Sequence, residues 1–245
     1  MQDALTVAMQ TMHNALARVE GTGLNLANLT TAGYKRSVAV TRSFADFVGI
    51  GAFTGARRLP VRVTLPSVDH VPDLKSAGLM FTGNALDFAV SGDGYFEVST
   101  PSGPAYTRKG NFRLDGRGRL VTEQGYPLMS QGGELVVTSA QPSVDQSGRV
   151  SEAGKQIGQI KVMQFSGAQG MVRIDAGLYG QGSAVPAQSQ GDAGVRQGYL
   201  ENSNVDSASE MVSLIESMRH FEAAQKILQG YDDSLGRAIQ KLGEL

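Results

Sequence analysis

Three histidines, His13, His70 and His220, are the first residues to weigh as bases or metal ligands, because imidazole changes charge near neutral pH. No Glu or His stands beside them at metal-ligand spacing such as HExxH, so a surface or packing role is the simpler account. With 0 cysteines the chain has no disulfides, thiolate nucleophiles or Cys-ligated metal centres. Asp87 and Asp93 would suit a carboxylate pair or a calcium ion, yet neither belongs to a run of oxygen ligands at EF-hand spacing. Turn and solvent-face roles are expected for both. Gly92-Asp93-Gly94 is the nearest approach to a phosphate cradle, but a strand and not a helix follows it, so it reads as a hairpin turn. The basic pairs Lys35-Arg36 and Arg57-Arg58 read as solvated surface. The sequence thus predicts no catalytic residue, no cofactor site and no metal site.

Composition narrows the class further. A net charge of −1 removes the electrostatic case for nucleic acid, which rests on clustered excess cations. The 31 glycines in 245 residues are well above the usual ~7% and require frequent turns. Met1-Gln2-Asp3-Ala4-Leu5 has no basic region followed by an apolar run, so no secretory leader is expected. No stretch approaches the ~18 apolar residues that would span a membrane.

Two stretches carry helical periodicity. Leu5, Met9, Met12, Leu16, Val19, Gly23 and Leu26 follow a four-three spacing, a heptad seam interrupted at Gly23. Met211, Leu214, Met218, Phe221, Gln225, Leu228, Asp232, Leu235, Ile239 and Leu242 repeat the rhythm, with Gln225 and Asp232 as polar exceptions. Ser207 and Glu210 fit a capping box and place the second helix start near residue 207. One amphipathic stripe usually packs into a globular core. Two of them enclosing some 180 residues of opposite character instead predict a side-by-side or antiparallel pair, too thin to be robust alone and in need of helices from neighbouring chains.

The middle reads as strands and turns. Candidate strands are Leu86 to Val90, Tyr95 to Val98, Ala105 to Thr107, Asn111 to Leu114, Arg119 to Thr122, Glu134 to Thr138, Ile157 to Phe165 and Val172 to Asp175, separated by Gly- and Pro-rich turns. The predicted fold class is α+β, mainly β with terminal helices. Residues 1–40 and 198–245 make a helical core domain and 82–176 an all-β domain. Residues 41–81 and 177–197 are read as an outgoing and a return connector. Phe44, Phe47, Val48, Ile50 and Phe53 argue for ordered packing in the outgoing one.

The run Asn25-Leu26-Ala27-Asn28-Leu29-Thr30-Thr31-Ala32-Gly33-Tyr34-Lys35-Arg36 resembles the signature of the flagellar rod and hook family. Its chemistry suits a helix end, with Asn28 and the Thr pair bonding local backbone and Gly33 permitting positive φ. The resemblance continues through Thr82-Gly83-Asn84, Gly92-Asp93-Gly94-Tyr95-Phe96, Tyr106-Thr107-Arg108 and Gly125-Tyr126-Pro127. It ends with Gln197-Gly198-Tyr199-Leu200-Glu201-Asn202-Ser203-Asn204-Val205, Glu210-Met211-Val212 and Arg219-His220-Phe221-Glu222. From 139 to 197 the match is loose.

The resemblance implies a structural subunit of the flagellar axis, exported by the flagellar type III apparatus and assembled in the rod that crosses the periplasm. Implied partners are other copies of the chain, neighbouring proximal and distal rod proteins, the export apparatus and the surrounding basal-body rings. The seam positions named above, the turn with Asn28, Gly33 and Tyr34, and the return with Tyr199, Asn202 and Asn204 are then the expected assembly interface. A reading from a different class is a peptidoglycan-active or carbohydrate-binding protein, which would need paired carboxylates or an aromatic platform. Seven Tyr, nine Phe and no Trp offer little for stacking sugars.

Overall fold

The computed structural model describes residues 2–41, 68–139, 141–167, 170–175, 177–187 and 194–243. Phe44, Phe47, Val48, Ile50, Phe53 and Arg57-Arg58 lie outside the described residues. The chain divides into two compact units, Met1–Leu26 with Ser37–Val71 and Asp206–Leu245, and Ala27–Arg36 with Pro72–Val205.

The first unit is built on two helices, α1 (Gln2–Ala27) and α2 (Ser207–Gly243), packed together as the periodicity predicts. α2 starts where expected, but its cap is Asp206, one residue before the predicted Ser207. The two carboxylate oxygens of Asp206 accept from the backbone N–H groups of Ala208 and Ser209, each at 3.4 Å. The strands Ser37–Thr41 and Val68–Pro72 pair with each other in this unit. His70 comes so close to α1 that a Cβ at Gly21 would stand 2.8 Å from its imidazole Cε1. A packing role therefore accounts for His70.

The second unit is β throughout, as the predicted class requires. Its largest sheet is antiparallel, in the order Val162–Met163, Tyr95–Thr100, Gly103–Thr107, Leu178–Gly180, Val172–Asp175. Tyr95 to Val98 show no polar alternation because both faces of this sheet are covered. Phe96 and Val98 enter a core with Phe88, Phe112, Leu120 and Leu128, while Tyr95 joins Tyr106, Met171 and Tyr179 in a second cluster. Residues 177–197, read from their Gly and Gln content as a connector, supply the strand Leu178–Gly180, with Tyr179 fully buried. The candidate Glu134 to Thr138 is a strand only at Gly133–Glu134, and Ile157 to Phe165 is broken into three short strands.

Two hairpin turns repeat one design that the sequence reading did not single out. In Asp115 to Arg119 and Asp145 to Arg149, the first carboxylate accepts backbone N–H groups two and four residues on, at 2.8 to 2.9 Å. Both carboxyls lie below the usual range, Asp115 first through the Arg119 N–H and Asp145 first through the Ser147 hydroxyl, which donates at 2.7 Å, and then through the Arg149 N–H. Asp87 departs from its expected solvent-face role: it is buried, and its carboxylate accepts from Thr82 Oγ1 at 2.7 Å and Asn84 Nδ2 at 3.0 Å.

Candidate assembly surface

The helix pair runs antiparallel and nearly residue for residue. Ala8 lies by Ala224 in one groove, and Asn25 Nδ2 donates to Glu210 Oε2 at 3.0 Å. The Asn25 amide, 1% exposed, also donates to the carbonyl of Ser37 at 2.9 Å and accepts its N–H at 2.8 Å. One side chain thereby fastens α1 to the strand that follows it and to the first turn of α2.

The inward positions differ from the predicted seam by one residue at every second step. On α1 the half-buried Leu5, Met12, Val19 and Leu26 alternate with the buried Ala8, Ala15 and Thr22. On α2 the half-buried Leu214, Phe221 and Leu228 alternate with the buried Glu210, Ser217 and Ala224, and the line continues to the half-buried Tyr231. Predicted seam residues Met9, Leu16, Met211 and Met218 are instead 57%, 47%, 59% and 53% exposed. Small residues let the two backbones approach, so the long side chains are displaced to the flanks. The polar exceptions Gln225 and Asp232 cease to be exceptions, because Ala224 and Tyr231 hold the inward positions beside them. That polarity was the signal in the sequence that the phase was off.

α2 is the longer helix, 37 residues against 26, and in this register it runs on for about three turns past the start of α1. Asp232 to Arg237 are all exposed, Leu235 at 43%. Ile239 and Leu242 fall in the last turns of α2.

The signature turn and the return motif meet inside the second unit. Gly33 has φ of 67° and donates its N–H to the carbonyl of Glu201 at 2.7 Å. A Cβ at Gly33 would stand 2.5 Å from the carbonyl carbon of Arg108, so the position demands glycine on two counts. Tyr34 is 1% exposed and lies under the Arg173 guanidinium, whose Nη2 donates to the carbonyl of Lys35 at 2.6 Å. Asn204 accepts from the Arg36 N–H at 2.6 Å and donates to the carbonyl of Asp73 at 2.7 Å. Asn28 is half-buried and bonds Thr31. Tyr199 stacks edge-on with Phe81, and Asn202 is exposed. Gly33, Tyr34 and Asn204, expected at an interface between subunits, are thus engaged within the chain.

Lys35 corrects the expectation of a solvated basic pair. It is fully buried, its ammonium donating to Glu201 Oε1 at 2.7 Å and to the carbonyl of Lys75 at 2.6 Å. Arg108 Nη1 reaches the other Glu201 oxygen at 3.0 Å, and the Ala77 N–H adds a third donor at 2.8 Å. Burial pushes the Lys35 ammonium below its usual pKa against the pull of Glu201. Arg108 lies over the Tyr95 ring, and its Nε is buried with no hydrogen-bond partner among the described residues. Pairing two cations on one carboxylate is a structural junction and offers no free base or nucleophile.

Comparison with known proteins decides the family. Residues 89–155 match the flagellar hook protein FlgE/F/G D1 domain and residues 196–241 the C-terminal region of the flagellar basal body rod FlgEFG proteins. The chain is 32% identical to the flagellar basal-body rod protein FlgF of Rhizobium meliloti, over 99% of each chain. This chain belongs to the flagellar basal-body rod family. Against the rod protein FlgG of Bacillus subtilis it is 33% identical over 93% of this chain and 94% of the other. Against FlgF of Escherichia coli the figure is 28% over 99% of each. Rod-family proteins are structural, not enzymes, and assemble with other rod subunits. The C-terminal match takes in the Gly194–Gln197 strand from Arg196 onward and α2 as far as Lys241.

Proposed function

We propose that this rod-family chain is a proximal rod subunit of the FlgF type, exported by the flagellar type III apparatus and polymerised through its helix pair. The carrying observation is that the pair fills its own seam with Ala8, Ala15 and Ala224 and leaves Met9, Leu16, Met211 and Met218 on its surface. Such residues cost little to cover and much to leave in water, so they suit a subunit finished by its neighbours. The helices within residues 1–40 and 198–245 form the polymerising core, and residues 82–176, completed by the strand Leu178–Gly180, make the β domain. Neighbouring proximal and distal rod proteins and further copies of the chain are the partners, and the basal-body rings surround the rod they form.

Full-length correspondence with FlgF relatives, at 99% of each chain, supports the FlgF type over the FlgG type. Complementation tests this. The gene is expected to restore swimming in a strain lacking FlgF and not in one lacking FlgG; the reverse pattern overturns the assignment.

A further inference from the structure

The helix pair has two unlike sides, and its register separates them. In an antiparallel pair, residues that follow a seam position on either helix face one side, and residues that precede a seam position face the other. Met9 and Leu16 on α1, with Met211, Ile215 and Met218 on α2, all follow seam residues and are all about half exposed. They form one ridge of long, flexible side chains. Val7 and Thr11 share the opposite side with His220, Ala223 and Ile227, around a groove of about 440 Å³. The floor of that groove is Ala8 and Ala224, both seam residues, so the groove is the established α1–α2 interface continued to the surface.

We propose that copies of this chain associate front to back, the methionine and isoleucine ridge of one helix pair seating in the alanine-floored groove of the next. The inference rests on the rod reading above. Ridge-to-ridge pairing would close after two copies and leave both grooves empty. Ridge-to-groove pairing uses both sides of every copy and is heterologous, the kind of contact that builds an open helical array when each copy is also displaced along the axis. It also sets a ridge of large residues into a groove floored by small ones, the general way helices pack. Along α2 the ridge, 211 to 218, and the groove wall, 220 to 227, are nine residues apart. With the axes parallel, each copy therefore steps about 14 Å along its neighbour, and lateral association climbs.

The chain has 0 cysteines, so introduced thiols report cleanly. Two differently tagged full-length copies, one Met218→Cys and one Ile227→Cys, nine residues apart as the step requires, are co-expressed in place of the native chain and oxidised in intact basal bodies. The expected result is a mixed disulfide several-fold more abundant than either same-site disulfide. Dominant same-site disulfides show a two-fold contact and overturn the proposal, as does the absence of any disulfide in rods that contain both copies and drive swimming. Rods that lack the chain altogether sink the rod reading itself. Ala223→Trp, which fills the groove from an exposed position, provides a second measurement. It should lower incorporation at least tenfold with the helicity of the free subunit unchanged, and undiminished incorporation overturns the docking.

Discussion

The two units differ in what they bury: large apolar side chains in one, small ones in the other. In the β unit Phe88, Phe96, Val98, Leu120 and Leu128 are all at 0% exposure, and the core is complete within the chain. In the helical unit the inward line carries alanine, serine and threonine, while Ile215, Met218 and Leu16 stay about half exposed. Burying one such side chain stabilises by about 1.5–3 kcal/mol, so the helical unit leaves several kcal/mol unrealised. The β unit closes a core of its own while Phe81, Val172, Ile174 and Val185 stay more than half exposed at its surface; the helical unit is a half-made core whose remainder, on the proposed reading, comes from neighbouring chains.

That contrast can be broken most directly by putting charge on the helices. Leu16→Asp and Phe221→Asp should each abolish swimming and rod incorporation, while near-ultraviolet circular dichroism shows the β unit still folded; normal swimming in either would break the contrast. The next effect is a reciprocal pair. Phe96→Ala should cost about 3–5 kcal/mol in urea unfolding of the purified subunit. Met218→Ser should stay within about 0.5 kcal/mol there, yet weaken assembly. Equal stability losses would erase the distinction.

Electrostatics sharpens it further. Glu201→Gln leaves Lys35 and Arg108 as buried cations without their shared carboxylate and should cost about 3–5 kcal/mol. Glu134→Gln, on the solvent-screened ion pair with Arg119, should leave the unfolding midpoint almost unchanged. The last effect appears only at alkaline pH. Burial pushes Tyr95 and Tyr179 up to about 12 from 10.0. Between those values the folded state holds a proton that the unfolded state has lost, so stability is full below pH 10 and falls toward pH 12. The loss is about 2–3 kcal/mol per tyrosine at the upper limit. Replacing both by Phe should flatten that alkaline decline in a pH series of unfolding midpoints.

The helices, their ends and the β character between them were legible in the sequence because periodicity is local. The phase of the seam was not. Both candidate phases share Leu5, Met12, Val19 and Leu26, and between Ala8 and Met9 or Ser217 and Met218 the larger apolar residue draws the eye. Backbone approach, which favours the smaller one, is a property of two helices together and of neither sequence alone. Gln225 beside Ala224 and Asp232 beside Tyr231 carried the correct answer. The strand at Leu178–Gly180 was hidden by the glycines and glutamines around it, although Tyr179 hinted at burial. Lys35 and Glu201 stand 166 residues apart in sequence, and no local pattern could have joined them. Gly33 was legible, since few residues other than glycine tolerate a left-handed turn after a helix.

The overhang of α2 has a consequence for how the helical unit comes apart. Asp232 to Arg237, beyond the start of α1, are all exposed, so their amides should exchange with solvent near the rate of an isolated peptide helix. Protection should then rise along α2 toward Glu210, where the Asn25 amide ties three segments at once. Opening begins at the free tip and ends at that knot. The direction of unzipping is set by the overhang, and the alanine, serine and threonine of every second step have few rotamers to release or refreeze as it runs.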